Sequence, residues 1–156
     1  MKTLFTISIF ILFSATIFCQ NISEFFINKD QKEILMKELT SLSTKDISDN
    51  QYVVINFFKK DIKKQKGSCI DYYVSDNSFK NLFKNNNKFI QFFISEKGFE
   101  YGKNVFPDNN ERISELLFTD AEECGNYAII FPDNYVIKKK GEYRQDLLIE
   151  YLKKLN

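Results

Sequence analysis

Three cysteines and no histidine set the chemistry open to this chain of 156 residues. Without histidine there is no Ser-His or Cys-His pair to make a nucleophile, and the commonest zinc ligand is missing. Cys19 falls at the end of an apolar leader, which leaves Cys69 and Cys124. Two cysteines alone cannot close a structural zinc site, so what remains is thiol and disulfide chemistry. No glycine-rich phosphate loop occurs, so nucleotide binding has no support. The residues call for no cofactor and no metal.

The leader itself, "MKTLFTISIFILFSATIFCQ", sets Lys2 before an apolar run from Leu4 to Phe18. That run is short of the roughly 20 apolar residues that span a bilayer, and it fits a secretory signal peptide over 1–19. Two alternatives stay open: a lipoprotein with Cys19 as the lipidated residue, and a retained anchor. Export implies an extracytoplasmic location, periplasmic or secreted, with no integral span after cleavage. An oxidising compartment favours a disulfide over free thiols where two cysteines remain.

Loss of the leader removes only Lys2, so 21 basic residues face 21 acidic ones. This balance gives no general pull toward nucleic acid or a membrane surface. Richness in Phe, Tyr, Lys, Asn and Ile looks like an AT-rich, bacterial genome. Seventeen Phe and no Trp supply an aromatic core. Length and the absence of repeats or linkers give one domain.

The elements that must position the cysteines follow from periodicity. Ile34, Leu35, Leu39 and Leu42 share a face in "NKDQKEILMKELTSL", which predicts a helix over 30–42. "YVVINFF" (52–58) and "KFIQFFI" (88–94) read as strands buried on both faces. Between them lie a lysine-rich loop (59–68) and a helix capped by Ser75, with Phe79, Leu82 and Phe83 inward. Asn109 or Asn110 caps a short helix in "ERISELLF", with Ile113, Leu116 and Leu117 inward. "YAIIF" and "YVIKK" form a hairpin across Pro132-Asp133-Asn134. A last helix, about 144–155, buries Leu147, Leu148, Tyr151, Leu152 and Leu155.

The order is α, then β-α-β, then α, then β-β-α. The first two strands, joined through a helix, suggest a right-handed parallel crossover. The closing stretch, "NYAIIFPDNYVIKKKGEYRQDLLIEYLKKL" with Gly141 after its second strand, resembles the last hairpin and helix of the thioredoxin family. The resemblance covers about 50–156. It implies an α/β thioredoxin-like mixed sheet with helices on both faces, here with an extra helix in an N-terminal extension, 20–49.

Thioredoxin-like enzymes carry C-x-x-C after the first core strand, and a cis-proline before the hairpin strand. This chain departs at both. Tyr72 stands three residues after Cys69, and matching "NYAIIF" puts Asn126 at the proline position. A non-proline residue prefers the trans bond by about 2.5–4 kcal/mol. The resemblance also implies that Cys69 and Cys124 approach each other across the former active-site mouth. A structural disulfide, a redox-active pair and unpaired thiols are the readings it leaves. Asp120, Glu122 and Glu123 would raise the pKa of a Cys124 thiol, or simply form an exposed loop. Tyr72 and Tyr73 either line a groove or pack at the core rim.

Lys59, Lys60, Lys63, Lys64 and Lys66 form a solvated loop or a contact for an anionic surface polymer. They lack the interleaved aromatics of a nucleic-acid site, so no nucleic-acid partner is expected. "PDNNE" (107–111) lacks the spacing and glycine of a calcium loop and reads as a helix cap. The function expected is a thioredoxin-like module without standard oxidoreductase activity that binds another protein or a cell-envelope component. The alternative is an atypical thiol-disulfide oxidoreductase using Cys69 and Cys124.

Overall fold

The structure is a computed structural model and describes residues 21–60, 69–74, 86–102 and 104–144, together with Leu148 and Leu152. The leader, most of the lysine-rich loop, the Ser75-capped helix and most of the last helix lie outside the described residues.

In chain order the elements are β1 (Ile22–Phe26), α1 (Lys29–Ser43), β2 (Tyr52–Phe58), α2 (Cys69–Val74), β3 (Phe89–Ser95), β4 (Val105–Pro107), α3 (Arg112–Leu117), β5 (Asn126–Ile130) and β6 (Tyr135–Lys139). They build one six-stranded sheet in the order β1-β6-β5-β2-β3-β4. β2 and β3 run parallel, while β5 pairs antiparallel with β2, and β6 with β5. These four inner strands have the thioredoxin-like arrangement: a parallel β-α-β pair flanked by an antiparallel hairpin. The fold class is α/β with a mixed sheet.

Two edge strands were not legible as strands in the sequence. β1 pairs antiparallel with β6 in front of the expected helix, and β4 extends the other edge parallel to β3. Each is short, and β1 alternates weakly, so neither gives the apolar run that marks β2.

Alternation along β2 explains the layers. Val53, Ile55 and Phe57 join Leu35 and Leu39 of α1, Ile113 and Leu117 of α3, and Ala128 and Ile130 of β5 in one buried cluster. Val54 faces the opposite side, where Ile129 and the helical Leu148 and Leu152 close a second cluster. Helical residues therefore cover both faces, as expected. α1 starts at a capping box: Asn28 Oδ1 accepts from Gln31 N at 2.8 Å, and Gln31 Oε1 accepts from Asn28 N at 2.9 Å. Lys32 Nζ then donates to Pro132 O at 2.6 Å, which ties the helix to the hairpin turn.

Two local expectations are corrected. Cys69 is the first residue of α2, a helix over 69–74 that was not expected there. Neither Asn109 nor Asn110 caps α3. Its N-cap is Glu111, left-handed at φ 58°, with no side-chain cap bond. The carboxylate comes from further upstream: Asp108 Oδ2 accepts from Ser114 N and Oγ, both at 2.8 Å. Asn110 turns instead to Glu38 on α1, donating at 2.7 Å.

Phe57 and Phe118 stack with centroids 4.6 Å apart and planes 6° from parallel, and Phe57 is fully buried. Phe57→Ala removes that contact and leaves a cavity under α3, so it should lower the unfolding free energy by about 3–5 kcal/mol. Urea denaturation followed by far-UV circular dichroism measures it.

Candidate functional site

β2 and β5 lie side by side, with Phe57 opposite Asn126. The loop from Phe118 to Asn126 therefore reaches the end of β2, where open α/β sheets hold their ligands. Asn126 is fully buried although polar. Its Oδ1 accepts from Glu122 N at 2.9 Å and Gly141 N at 3.3 Å. Its Nδ2 donates to Glu122 O at 2.8 Å and Phe57 O at 3.3 Å. All four hydrogen-bonding positions of the amide are thus used. The described peptide bonds, the one before Asn126 included, are all trans.

Gly125 explains why the chain is this close. Its φ is +74°, and a Cβ there would stand 2.7 Å from Glu142 Cα and 2.8 Å from Tyr73 Oη. Three segments meet at this point: the loop before β5, helix α2, and the stretch after β6. Tyr73 locks the last two. Its hydroxyl donates to Tyr143 O at 3.0 Å and accepts from Tyr143 N at 3.1 Å.

Tyr143 is turned inside out for a tyrosine. Its ring stacks on Tyr73 at 4.7 Å, and its hydroxyl points into the protein to accept from Asn56 Nδ2. Asn56 is the single polar residue of β2, and its Oδ1 accepts from Gln91 Nε2 on β3 at 2.7 Å. A buried polar chain thus runs Gln91–Asn56–Tyr143. Burial pushes the Tyr143 hydroxyl well above the usual tyrosine range, and the neighbouring Tyr73 adds to the shift against the Asn56 bond. Tyr73 is raised in the same way by burial, offset in part by its bond to the Tyr143 backbone.

Over this base lies a cleft of about 450 Å³ lined by Tyr72, Tyr73, Cys124, Glu142, Tyr143 and Arg144. Tyr72 is 62% exposed and meets Tyr73 edge-on, with centroids 5.2 Å apart. Both readings of this tyrosine pair hold, one for each residue: Tyr72 lines the cleft wall, and Tyr73 is packed in the core rim. Cys124 is disulfide-bonded. Cys69 starts α2, the helix that brings Tyr72 and Tyr73 to the same cleft; its side chain lies outside the described residues.

Cys124, being disulfide-bonded, offers no thiol for the acidic residues before it to shift. Asp120 is held by Lys138 at 2.6 Å, and that bond lowers its carboxyl pKa. Among the described residues no group of three or more Cys, Asp or Glu stands together as a metal site. Also among them, no helix is long and apolar enough to cross a membrane.

Compared with protein-family models and with curated protein sequences, the chain matches none.

Asn56, Gln91 and Tyr143 were not singled out from the sequence. One signal was there: an asparagine inside "YVVINFF", where a buried strand tolerates a polar residue only with a partner. What it could not give is the partner, because Gln91 and Tyr143 are distant in sequence.

The two raised tyrosines fix a pH dependence. A hydroxyl whose folded pKa exceeds its unfolded value of about 10 favours the folded state through its proton. That contribution is fully present below pH 10 and is lost as the pH rises through the folded value. Stability should therefore fall steeply above about pH 10. In a spectrophotometric titration of the eight tyrosines, the last phenolates should appear only together with the loss of near-UV dichroism. Tyr143→Phe should leave Asn56 unsatisfied, cost about 1–3 kcal/mol at pH 7, and flatten that alkaline fall.

Proposed function

We propose that this chain is a divergent member of the thioredoxin-like superfamily, exported to a periplasmic or extracellular compartment, and that it works by binding another protein or an envelope component without thiol exchange. The observation that carries the reading is the cleft at the end of β2 and β5. It is built from tyrosines, one of its walls holds a cysteine already committed to a disulfide, and the loop that borders it is pinned by Asn126. Exchange chemistry needs a thiolate at a helix start with its resolving cysteine beside it; Cys69 opens α2, but Tyr72 stands where C-x-x-C would place the second thiol. Binding needs a shaped concavity with an aromatic anchor, and Tyr72 is one.

The partner of Cys124 in this reading is Cys69. The bond would staple α2 to the loop before β5, on top of the Gly125 contact and the Tyr73 clamp. The location of Cys124 on the cleft wall and of Cys69 at the start of α2 gives the second reading its specific support. In that reading Cys69 and Cys124 cycle as a non-adjacent redox pair.

A redox titration separates the two. The protein secreted by an expression host is equilibrated with glutathione buffers under native conditions, alkylated, and weighed intact. The binding-module reading expects a disulfide that survives potentials down to about −300 mV, whereas exchange catalysts open near about −200 mV. Opening in that higher range, with insulin reduction that depends on Cys69, would sink the binding reading. Cys124→Ser should lower the unfolding free energy by about 2–5 kcal/mol.

A further inference from the structure

We infer that the mature chain begins at Gln20 and that this residue closes on itself to a pyroglutamyl lactam. The inference rests on the export reading above and adds what becomes of the new chain end.

The cut is bracketed from both sides. Signal peptidases cut after a small residue that follows the apolar run. Ser14, Ala15 and Thr16 lie inside that run, which extends to Phe18, and Cys19 is the first small residue past it. Downstream the next small residue is Ser23, and there β1 opposes a cut. Asn21 O accepts from Lys140 N at 3.0 Å, Ile22 pairs with Lys139, and Ser23 pairs with Lys138. A cut after Ser23 would strip all three from the edge ladder. The structure therefore adds the downstream limit, since β1 is an element that the apolar pattern did not mark.

Cleavage after Cys19 leaves a glutamine with a free α-amine. Such an amine has a pKa of about 7.7–8.0, so part of it is unprotonated at neutral pH. Its nitrogen attacks the side-chain amide carbon, which the residue itself holds within reach of a five-membered ring. The bond from the α-nitrogen to Cδ forms and the bond from Cδ to Nε2 breaks. The proton lost by the amine goes to the departing nitrogen, which leaves as ammonia. No oxidant, cofactor or second substrate enters.

The place of β1 gives this closure a consequence. Chain termini are where proteolysis concentrates. β1 is an edge strand that begins two residues after Gln20, and Ile22, Ser23, Glu24 and Phe26 are all exposed. An aminopeptidase entering at a free amine would take Gln20 and Asn21 and then the ladder itself. A lactam presents no α-amine to such an enzyme, so the ring protects the strand behind it.

The test expresses the full-length gene with its own leader in a secreting bacterial host. Protein from the extracytoplasmic fraction is reduced, weighed intact, and exposed to aminopeptidase with and without prior pyroglutamyl peptidase. The mass should equal that of residues 20–156 less one ammonia. Aminopeptidase should leave it unchanged until pyroglutamyl peptidase has removed one residue. Gln20→Ala should give the full mass of its own 20–156 chain, with no ammonia lost, and should be trimmed at once. A chain that starts at Gln20 and keeps its ammonia through prolonged incubation at neutral pH would overturn the lactam and leave export standing. A start at any other exported residue, or a Cys19 carrying the mass of a lipid, would do the same. Protein confined to the cytoplasm with its leader intact would overturn the export reading itself.

Discussion

One side chain fixes the upper end of this molecule. The amide of Asn126 holds the end of β2 through Phe57 O, the loop through both backbone groups of Glu122, and the segment after β6 through Gly141 N. A fully buried amide with any of these bonds missing would cost about 1–3 kcal/mol per orphaned group. With all four made, it acts as a rigid rivet between elements far apart in sequence. Gly125 next to it allows the approach, since at φ +74° any side chain would be strained and would strike Glu142 and Tyr73.

A second polar device stands behind the first. Gln91, Asn56 and Tyr143 thread a hydrogen-bonded chain through the aromatic side of the sheet. In a low-dielectric interior such a chain rigidifies what it connects so long as every member is satisfied. Its consequence reaches the surface. Asn56 draws the Tyr143 hydroxyl inward, while the Tyr143 main chain, at the cleft, pairs with the Tyr73 hydroxyl. The core network is thus joined through Tyr143 to the residues that line the concavity above it.

How much of this was readable in the sequence follows from range. β2, β3 and the β5–β6 hairpin were legible because a continuous apolar run, or a turn such as Pro132-Asp133-Asn134, is a local signal. α1 was legible from Leu35 and Leu39 at helical spacing. β1 and β4 were not, since a short edge strand takes its structure from the neighbour it pairs with. The cap of α3 misled for a related reason. Asn109 and Asn110 were the two candidates, but the chain enters the helix through a left-handed Glu111, Asn110 bonds Glu38, and the carboxylate that accepts from the first turn is that of Asp108. At the site, Cys124, Tyr72, Tyr73 and Asn126 were all marked by type and place. The role of Asn126 as a donor and acceptor to four backbone groups was not, because those groups come from three separate stretches that only the folded sheet assembles.

The two edges of the sheet show how the addition of a further strand is discouraged. At the β3 edge, the short β4 leaves Gln91 O outside its ladder, and Lys45 covers it, donating at 3.2 Å while its ammonium lies 5.3 Å from the Phe92 ring centroid. A lysine folded over an edge carbonyl is a common guard against strand addition. Burial lowers the Lys45 pKa, which marks how closely that cation is drawn against the sheet. At the other edge, β1 carries Glu24 at its centre, engaged with the Tyr135 hydroxyl. A second β1 added antiparallel in matched register would set that carboxylate against its own copy, which is unfavourable. One edge is guarded by a cation and the other carries a central carboxylate, so neither invites a further strand.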